Sequence, residues 1–248
     1  MLERHYNAER INQILNHPSV LPTIRGNHKN LDWSKVAEHP SHVSLVGEHG
    51  CVLFVKIQDG IYEFHTSVLP EGRGKWMIEG AKYAFNYMFT RTDAFELLTK
   101  CPDGNLAAKA GAKAVGCSFV FRTGEIWPSD GKMVCVDVWS ILIQHWIKTN
   151  EFTVDSGKFF HMELEKKCAE KNISLVSHKE DETHDRYVGA AVEMLKNGQT
   201  AKAIVFYNRW ARMAGYYPIK LLSLTPITVD IRDCILRISG NDFDVIAI

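Results

Sequence analysis

Glu63 and His65 stand two residues apart in the run Ile61-Tyr62-Glu63-Phe64-His65-Thr66-Ser67-Val68. Period-two alternation puts Ile61, Glu63, His65 and Ser67 on one face of a strand. A carboxylate beside an imidazole can take up a proton near neutral pH, the task of a general base. The same pattern also suits a half-exposed strand that turns its polar residues to water. Directly after it comes Pro70-Glu71-Gly72-Arg73-Gly74-Lys75, leading into a helical run. Glycines let a backbone approach an anion, Arg and Lys add positive charge, and a helix start offers free N–H groups. Gly72, Arg73, Gly74 and Lys75 are therefore candidates to receive a phosphate or pyrophosphate, although a plain strand-to-helix turn has the same composition. Asn105 follows Pro102-Asp103-Gly104 and opens an alanine-rich run. It is a candidate ligand contact or a helix N-cap, and the two roles are compatible.

Several elements must position these groups. Ile11, Ile14 and Leu15 recur at helical spacing within residues 1–17. Residues 17–42, rich in Pro, Asn, His and Gly, read as loop. Val43–Val46 and Cys51–Ile57 read as strands, and Asp59-Gly60 turns the second into Ile61–Val68, completing an antiparallel meander. A helix is expected over Trp76–Phe89, with Met77, Ala81, Ala84, Phe85 and Met88 on one face. A strand over Phe95–Thr99, a helix ending at Ala114, a strand over Cys117–Arg122, a Thr123-Gly124 turn, a strand over 132–139 and a helix over Ile141–Ile147 complete this part. The expected fold class is α+β: a mixed, mostly antiparallel twisted sheet flanked by helices, with a helix-plus-hairpin extension.

The character of the chain changes near Asn150, which gives a division into 1–150 and 151–248. A charged helix over Gly157–Lys171 leads into His178-Lys179-Glu180-Asp181-Glu182-Thr183-His184-Asp185, read as a polar surface loop. Helices follow over Tyr187–Lys196, capped by Asp185, and over Thr200–Ala214, stopped at Gly215. Two strands around Ser239-Gly240-Asn241-Asp242 end the chain. Arg209 and Arg212 beside Trp210 suit an anion or intraprotein salt bridges. The histidines of His39-Pro40-Ser41-His42 and of His178 to His184 lack a ligand spacing, so no metal site is expected.

Composition bounds the function. The chain has 248 residues, 46% hydrophobic and 23% charged, enough to bury a core. Lys+Arg and Asp+Glu both number 29, and this balance disfavours a nonspecific nucleic-acid binder. The six cysteines are scattered without a Cys-x-x-Cys, so reduced thiols and a cytoplasmic setting are expected. The start Met1-Leu2-Glu3-Arg4-His5-Tyr6 carries no signal-peptide pattern, and no run has membrane-spanning length.

The order strand, Pro-Glu-Gly-Arg-Gly-Lys turn, helix, strand, Asn105-Leu106-Ala107-Ala108 helix and Gly116 resembles the cofactor half of the GNAT superfamily of acyl-CoA-dependent N-acyltransferases. Asn16-His17-Pro18-Ser19-Val20, the Tyr62-to-Lys75 turn and Phe89-Thr90-Arg91-Thr92-Asp93 are similar to a tailed-bacteriophage group of acetyltransferase-like proteins, akin to the gene-14 head-assembly family of P22-like phages. The resemblance covers roughly residues 10–145. It implies acetyl-CoA or a related thioester as cofactor, with its pyrophosphate on Gly72 to Lys75, its pantetheine near Asn105, and Glu63 or His65 as base. It implies a host-cytoplasmic setting with phage virion proteins as partners. Trp76 and Ile78 occupy the family's glycine positions, and Ala112 stands where many members carry a general-acid Tyr. These departures suit the alternative of a noncatalytic virion component.

Overall fold

A computed structural model of the chain describes residues 2–25, 30–126, 132–175, 181–231, 234–240 and 242–247. The chain divides into two compact units, Met1–Met88 with Ala94–Ile143, and Phe89–Asp93 with Gln144–Ile248.

The first unit is built on a seven-stranded sheet. Its elements are β1 (Glu3–Arg4), α1 (Glu9–Leu15), α2 (Leu21–Arg25), α3 (Ser34–Ala37), β2 (Val43–Gly47), β3 (Gly50–Gln58), β4 (Ile61–Val68), α4 (Lys75–Arg91), β5 (Glu96–Pro102), α5 (Leu106–Ala114), β6 (Ser118–Ile126) and β7 (Met133–Leu142). The strand order is β1-β2-β3-β4-β5-β7-β6. Every neighbouring pair is antiparallel except β4 and β5.

Alternation along β4 decides what faces what. Tyr62 and Phe64 are buried, and Phe64 meets Phe85 of α4 edge-on with ring centroids 5.0 Å apart. Glu63 and His65 take the opposite face, as period two requires. On that face Leu53, the cross-strand partner of His65, joins Cys51, Ile11, Ile14 and Leu15 in a core layer under α1. The segment 17–42 is therefore less irregular than its composition suggests: α2 and α3 form there, and Leu31 and Trp33 pack on the same layer.

β6 continues through Thr123 and Gly124, which pair with Val136 and Cys135, so the expected turn is mid-strand. The glycine makes room for a neighbour: a Cβ on Gly124 would come within 2.9 Å of Met133 Sδ. Ile141 and Leu142 finish β7 rather than opening the next helix.

The second unit holds α6 (Ile143–Thr149, from Gln144 onward), α7 (Glu151–Glu170), α8 (Glu182–Lys196), α9 (Thr200–Ala214), β8 (Lys220–Leu224), β9 (Ile227–Asp230), β10 (Ile235–Ser239) and β11 (Asp242–Ile246). The strands form an antiparallel sheet in the order β11-β10-β9-β8, two strands more than expected. The polar stretch before Tyr187 is not a loop from Glu182 onward. Asp181 caps α8 one turn earlier than Asp185, its side chain accepting from the Thr183 amide at 2.9 Å. Glu182 and Asp185 suit the positive end of the helix, which explains so acidic a first turn. His178, Lys179 and Glu180 lie outside the described residues. α7 and α8 run antiparallel in close contact, with Gly157 opposite Asp185 and Gly189 opposite Thr153. A Cβ on Gly189 would sit 1.9 Å from the Thr153 carbonyl oxygen. Lys202 is buried, and its ammonium donates to the Phe89 and Thr92 carbonyls at 2.8 and 2.9 Å.

Candidate functional site

Among the described residues, the one parallel junction of the large sheet is short. β4 and β5 pair only at Ile61–Glu96, Tyr62–Leu97 and Glu63–Leu98. Beyond Glu63, β4 runs on to Val68 and β5 to Pro102 without pairing to each other. Because the two strands are parallel, both carboxyl ends lie on the diverging side, and each leads into a helix start. The junction of neighbouring strands that send their chains to separate helices is where open sheets bind ligands.

At the end of β4 a 3-10 turn, Pro70–Gly72, leads to α4. The Ile78 amide donates to the Gly74 carbonyl at 3.2 Å, so the amides before it have no partner within the helix. The four turn residues play different parts. Gly72 is buried, and a Cβ there would sit 2.6 Å from His49 Cβ and 2.9 Å from the His49 carbonyl oxygen. Its role is close packing. Gly74 has φ +88° and open space around it, so its backbone is the one a ligand can approach. Arg73 is exposed and donates to the Ser19 carbonyl at 3.1 Å, while exposed Lys75 lies 3.6 Å from Glu79. The Trp76 indole leans on the β2–β3 turn, edge-on to His49 at 5.6 Å and 67°, and it sits against Gly50.

At the end of β5, Asn105 caps α5, its side-chain oxygen accepting from the Ala108 amide at 3.0 Å. This helix start is tied down by a set of charges that the sequence reading missed. Buried Asp137 of β7 accepts from Arg122 Nε at 2.6 Å and lies 2.7 Å from Lys109 Nζ. Asp103, just before the cap, lies 2.8 Å from both cations. The hydrogen bond from Arg122, then that from Lys109, holds the Asp137 carboxyl down at about 2. Asp137 occurs in an apolar strand run, Val134-Cys135-Val136-Asp137-Val138. A lone acid in such a run is the signal that marked it.

On the face of β4 opposite Phe64, Glu63 Oε1 lies 3.7 Å from His65 Nε2, with side chains 17% and 42% exposed respectively. Trp33 stands edge-on to His65 at 6.0 Å. Lys100 of β5 lies 3.8 Å from Glu63 and 2.7 Å from Glu125. The hydrogen bond to Glu125 raises the Lys100 pKa; burial opposes this, and the Glu63 carboxylate adds to it. Glu63, His65 and Lys100 are thus together, with Glu63 at the last paired position before the strands part. Buried Ala112 leaves α5 without a hydroxyl at that point. Burial pushes the Cys101 thiol up to about 11 and that of Cys117 up to about 12, so neither is a thiolate near neutral pH.

Among solved structures, a spermidine N-acetyltransferase from Vibrio cholerae, crystallised with CoA and spermine, is similar at a TM-score of 0.51 and 16% identity, over 59% of this chain and 97% of that one. A point variant of the Vibrio cholerae enzyme matches at a TM-score of 0.50 and 18% identity, over 61% of this chain and 98% of that one. The fold is GNAT-like. Identities this low carry the architecture only. No protein-family model matches the chain, and no curated protein matches it. Among the described residues, no helix is long and apolar enough to cross a membrane.

Proposed function

We propose that the chain is an acyl-CoA-dependent N-acyltransferase of tailed-bacteriophage type, using acetyl-CoA or a related thioester. One observation carries the reading. The single parallel pair among the described residues, β4 and β5, opens after Glu63 and directs two helix N-termini to the diverging side. The amides of Lys75, Trp76 and Met77, the open backbone of Gly74 and the charges of Arg73 and Lys75 suit a pyrophosphate. Gly72 supports that turn by packing under His49. Asn105 holds the α5 start toward the pantetheine arm. Glu63, with His65 beside it, takes the proton that an attacking amine loses, directly or through a water. The C–N bond forms as the thioester C–S bond breaks, and the sulfur leaves as thiolate.

On this reading residues 1–150 are the acyl-CoA domain and residues 151–248 a docking or substrate module, working in the host cytoplasm or packaged in the virion. A second reading has its own support. Trp76 and Ile78 stand at the helix start, the Asn105 oxygen is engaged by its own helix, and Ala112 carries no acid. These suit a noncatalytic virion component, associated with head assembly or ejection, that keeps the fold without the chemistry.

Calorimetric titration with acetyl-CoA, with free CoA as control, separates the two. Micromolar affinity, about −8 kcal/mol, is expected. Absence of heat at millimolar ligand would overturn the acyltransferase reading and favour the virion component.

A further inference from the structure

The second unit contains a cavity of about 270 Å3 that acyl transfer does not use. Its wall is mainly apolar, with Leu164, Val188, Leu236, Ile238 and Phe243 among the lining residues, yet His161 and His184 also line it. Asp185 follows His184 in the first turn of α8. Each of the three offers one donor atom, and these atoms all lie within 4.8 Å of one another.

The helix crossing explains the convergence. Gly157 of α7 and Gly189 of α8 let the two backbones touch. His161, one turn beyond Gly157, is thereby carried beside the first turn of α8, where His184 and Asp185 stand. His161 Nε2 lies 3.3 Å from Asp185 Oδ1. The two imidazole centroids are 5.3 Å apart. A tetrahedral ion with bonds of about 2.0–2.1 Å spaces its donors about 3.3 Å apart and sets two imidazole centroids about 5.2 Å apart. The His161–Asp185 pair and the ring separation match these spacings, and the three donors together span no more than 4.8 Å. The His184 ring is fixed by neighbours: it stacks on Tyr216 at 4.4 Å, and its Nε2 lies 3.4 Å from the Tyr207 hydroxyl. Such support around a ligand imidazole sets its orientation. Two imidazoles and a carboxylate form a donor set suited to zinc and its first-row neighbours.

We propose that His161, His184 and Asp185 bind one divalent transition-metal ion of the zinc class, with a fourth coordination position open to the cavity. The inference stands apart from acyl transfer, and neither depends on the other.

The test uses the full chain stripped with chelator and titrated with cobalt(II) and then zinc(II), read by calorimetry and visible absorption. One equivalent should bind at micromolar affinity or tighter, with the intense d–d bands of tetrahedral cobalt. His161→Gln and Asp185→Asn should each weaken binding at least tenfold with unchanged circular dichroism. His145→Ala, an exposed histidine on α6, should change nothing. X-ray absorption at the zinc edge of the unaltered chain should show imidazole and oxygen donors, and this reading does not require the variants to fold. No uptake at equimolar metal overturns the proposal. So does sulfur coordination, or uptake that survives both substitutions and therefore belongs elsewhere, for example to the stacked His39 and His42.

Discussion

Gly72 and Gly74 are two residues apart in one turn, yet substituting alanine should hurt them for different reasons. At Gly72 the new Cβ would lie 2.6 Å from His49 Cβ, 2.9 Å from the His49 carbonyl oxygen and 2.9 Å from Val68 Cγ1. Two of those atoms belong to, or are rigidly attached to, the β2–β3 turn backbone, so no side-chain rotation relieves them. Overpacking of this kind costs about 1–3 kcal/mol. In a chain of this size each kcal/mol lowers the melting temperature by roughly 2–4 °C. At Gly74 a Cβ meets nothing, but φ is +88°, and a left-handed conformation costs a non-glycine residue about 1–2 kcal/mol. Asn tolerates that region better than Ala does, so Gly74→Asn should recover part of the loss, whereas Gly72→Asn should be worse than Gly72→Ala. Thermal unfolding of the four variants checks the stability pattern. Acetyl-CoA titration adds the functional half: Gly74→Ala puts a methyl group where the ligand backbone contact is proposed and should cost about 1.4 kcal/mol, a tenfold affinity loss. A Gly72→Ala chain as stable as the parent would refute the packing argument. Unaltered CoA affinity in folded Gly74→Ala would refute the assignment of the open backbone to the pyrophosphate.

The remaining predictions concern the base, the α5 clamp and the buried lysine. Glu63→Ala combined with His65→Ala should abolish acyl transfer while CoA affinity stays nearly constant; turnover by the double variant would eliminate the pair as base. Asp137 is held at about 2 in the folded state against 3.8 otherwise. Its contribution to stability is therefore complete above 3.8 and is lost as pH falls toward 2. Asp137→Asn should flatten that acid limb in pH-dependent denaturation, and an unchanged limb would mean the carboxylate is not clamped. Burial pushes the Lys202 ammonium down to about 7 from 10.5, with Asp93 opposing. Between those values the unfolded chain binds more protons, so stability should rise with pH across the window. Lys202→Met should remove that rise; equal slopes for parent and variant in denaturant midpoints would show that Lys202 does not titrate there.

What could be read from the sequence was what adjacent residues determine. The β3–β4 hairpin follows from Asp59-Gly60, and indeed Gly60 has φ +75°. The α4 face follows from Met77, Ala81, Ala84, Phe85 and Met88, and the sharing of one strand face by Glu63 and His65 follows from period two. The helix starts after β4 and β5 were legible for the same reason, since Gly, Asn and Pro act on their neighbours. Other features depend on residues far apart in the chain, and local pattern is silent about them. Gly72 needed His49 to show that it is a packing glycine. Asp137 needed Lys109 and Arg122 to be more than an odd acid in an apolar strand. The segment Asp181-Glu182-Thr183-His184-Asp185 read as a solvated loop because four of its five residues are acidic or His. The burial of His184 depends on Tyr207, Trp210 and Tyr216, at least twenty-three positions later. A helix start enriched in acid obeys the dipole and looks like a loop to a polarity scan. The distinguishing mark was available: Asp181 precedes an apolar run whose residues Val188, Ala191 and Leu195 keep helical spacing. Extending that spacing back one turn reaches His184, which then faces the core with them. Periodicity extended backward from the apolar run would have placed the histidine inside, and with it one of the three donors proposed for the second unit.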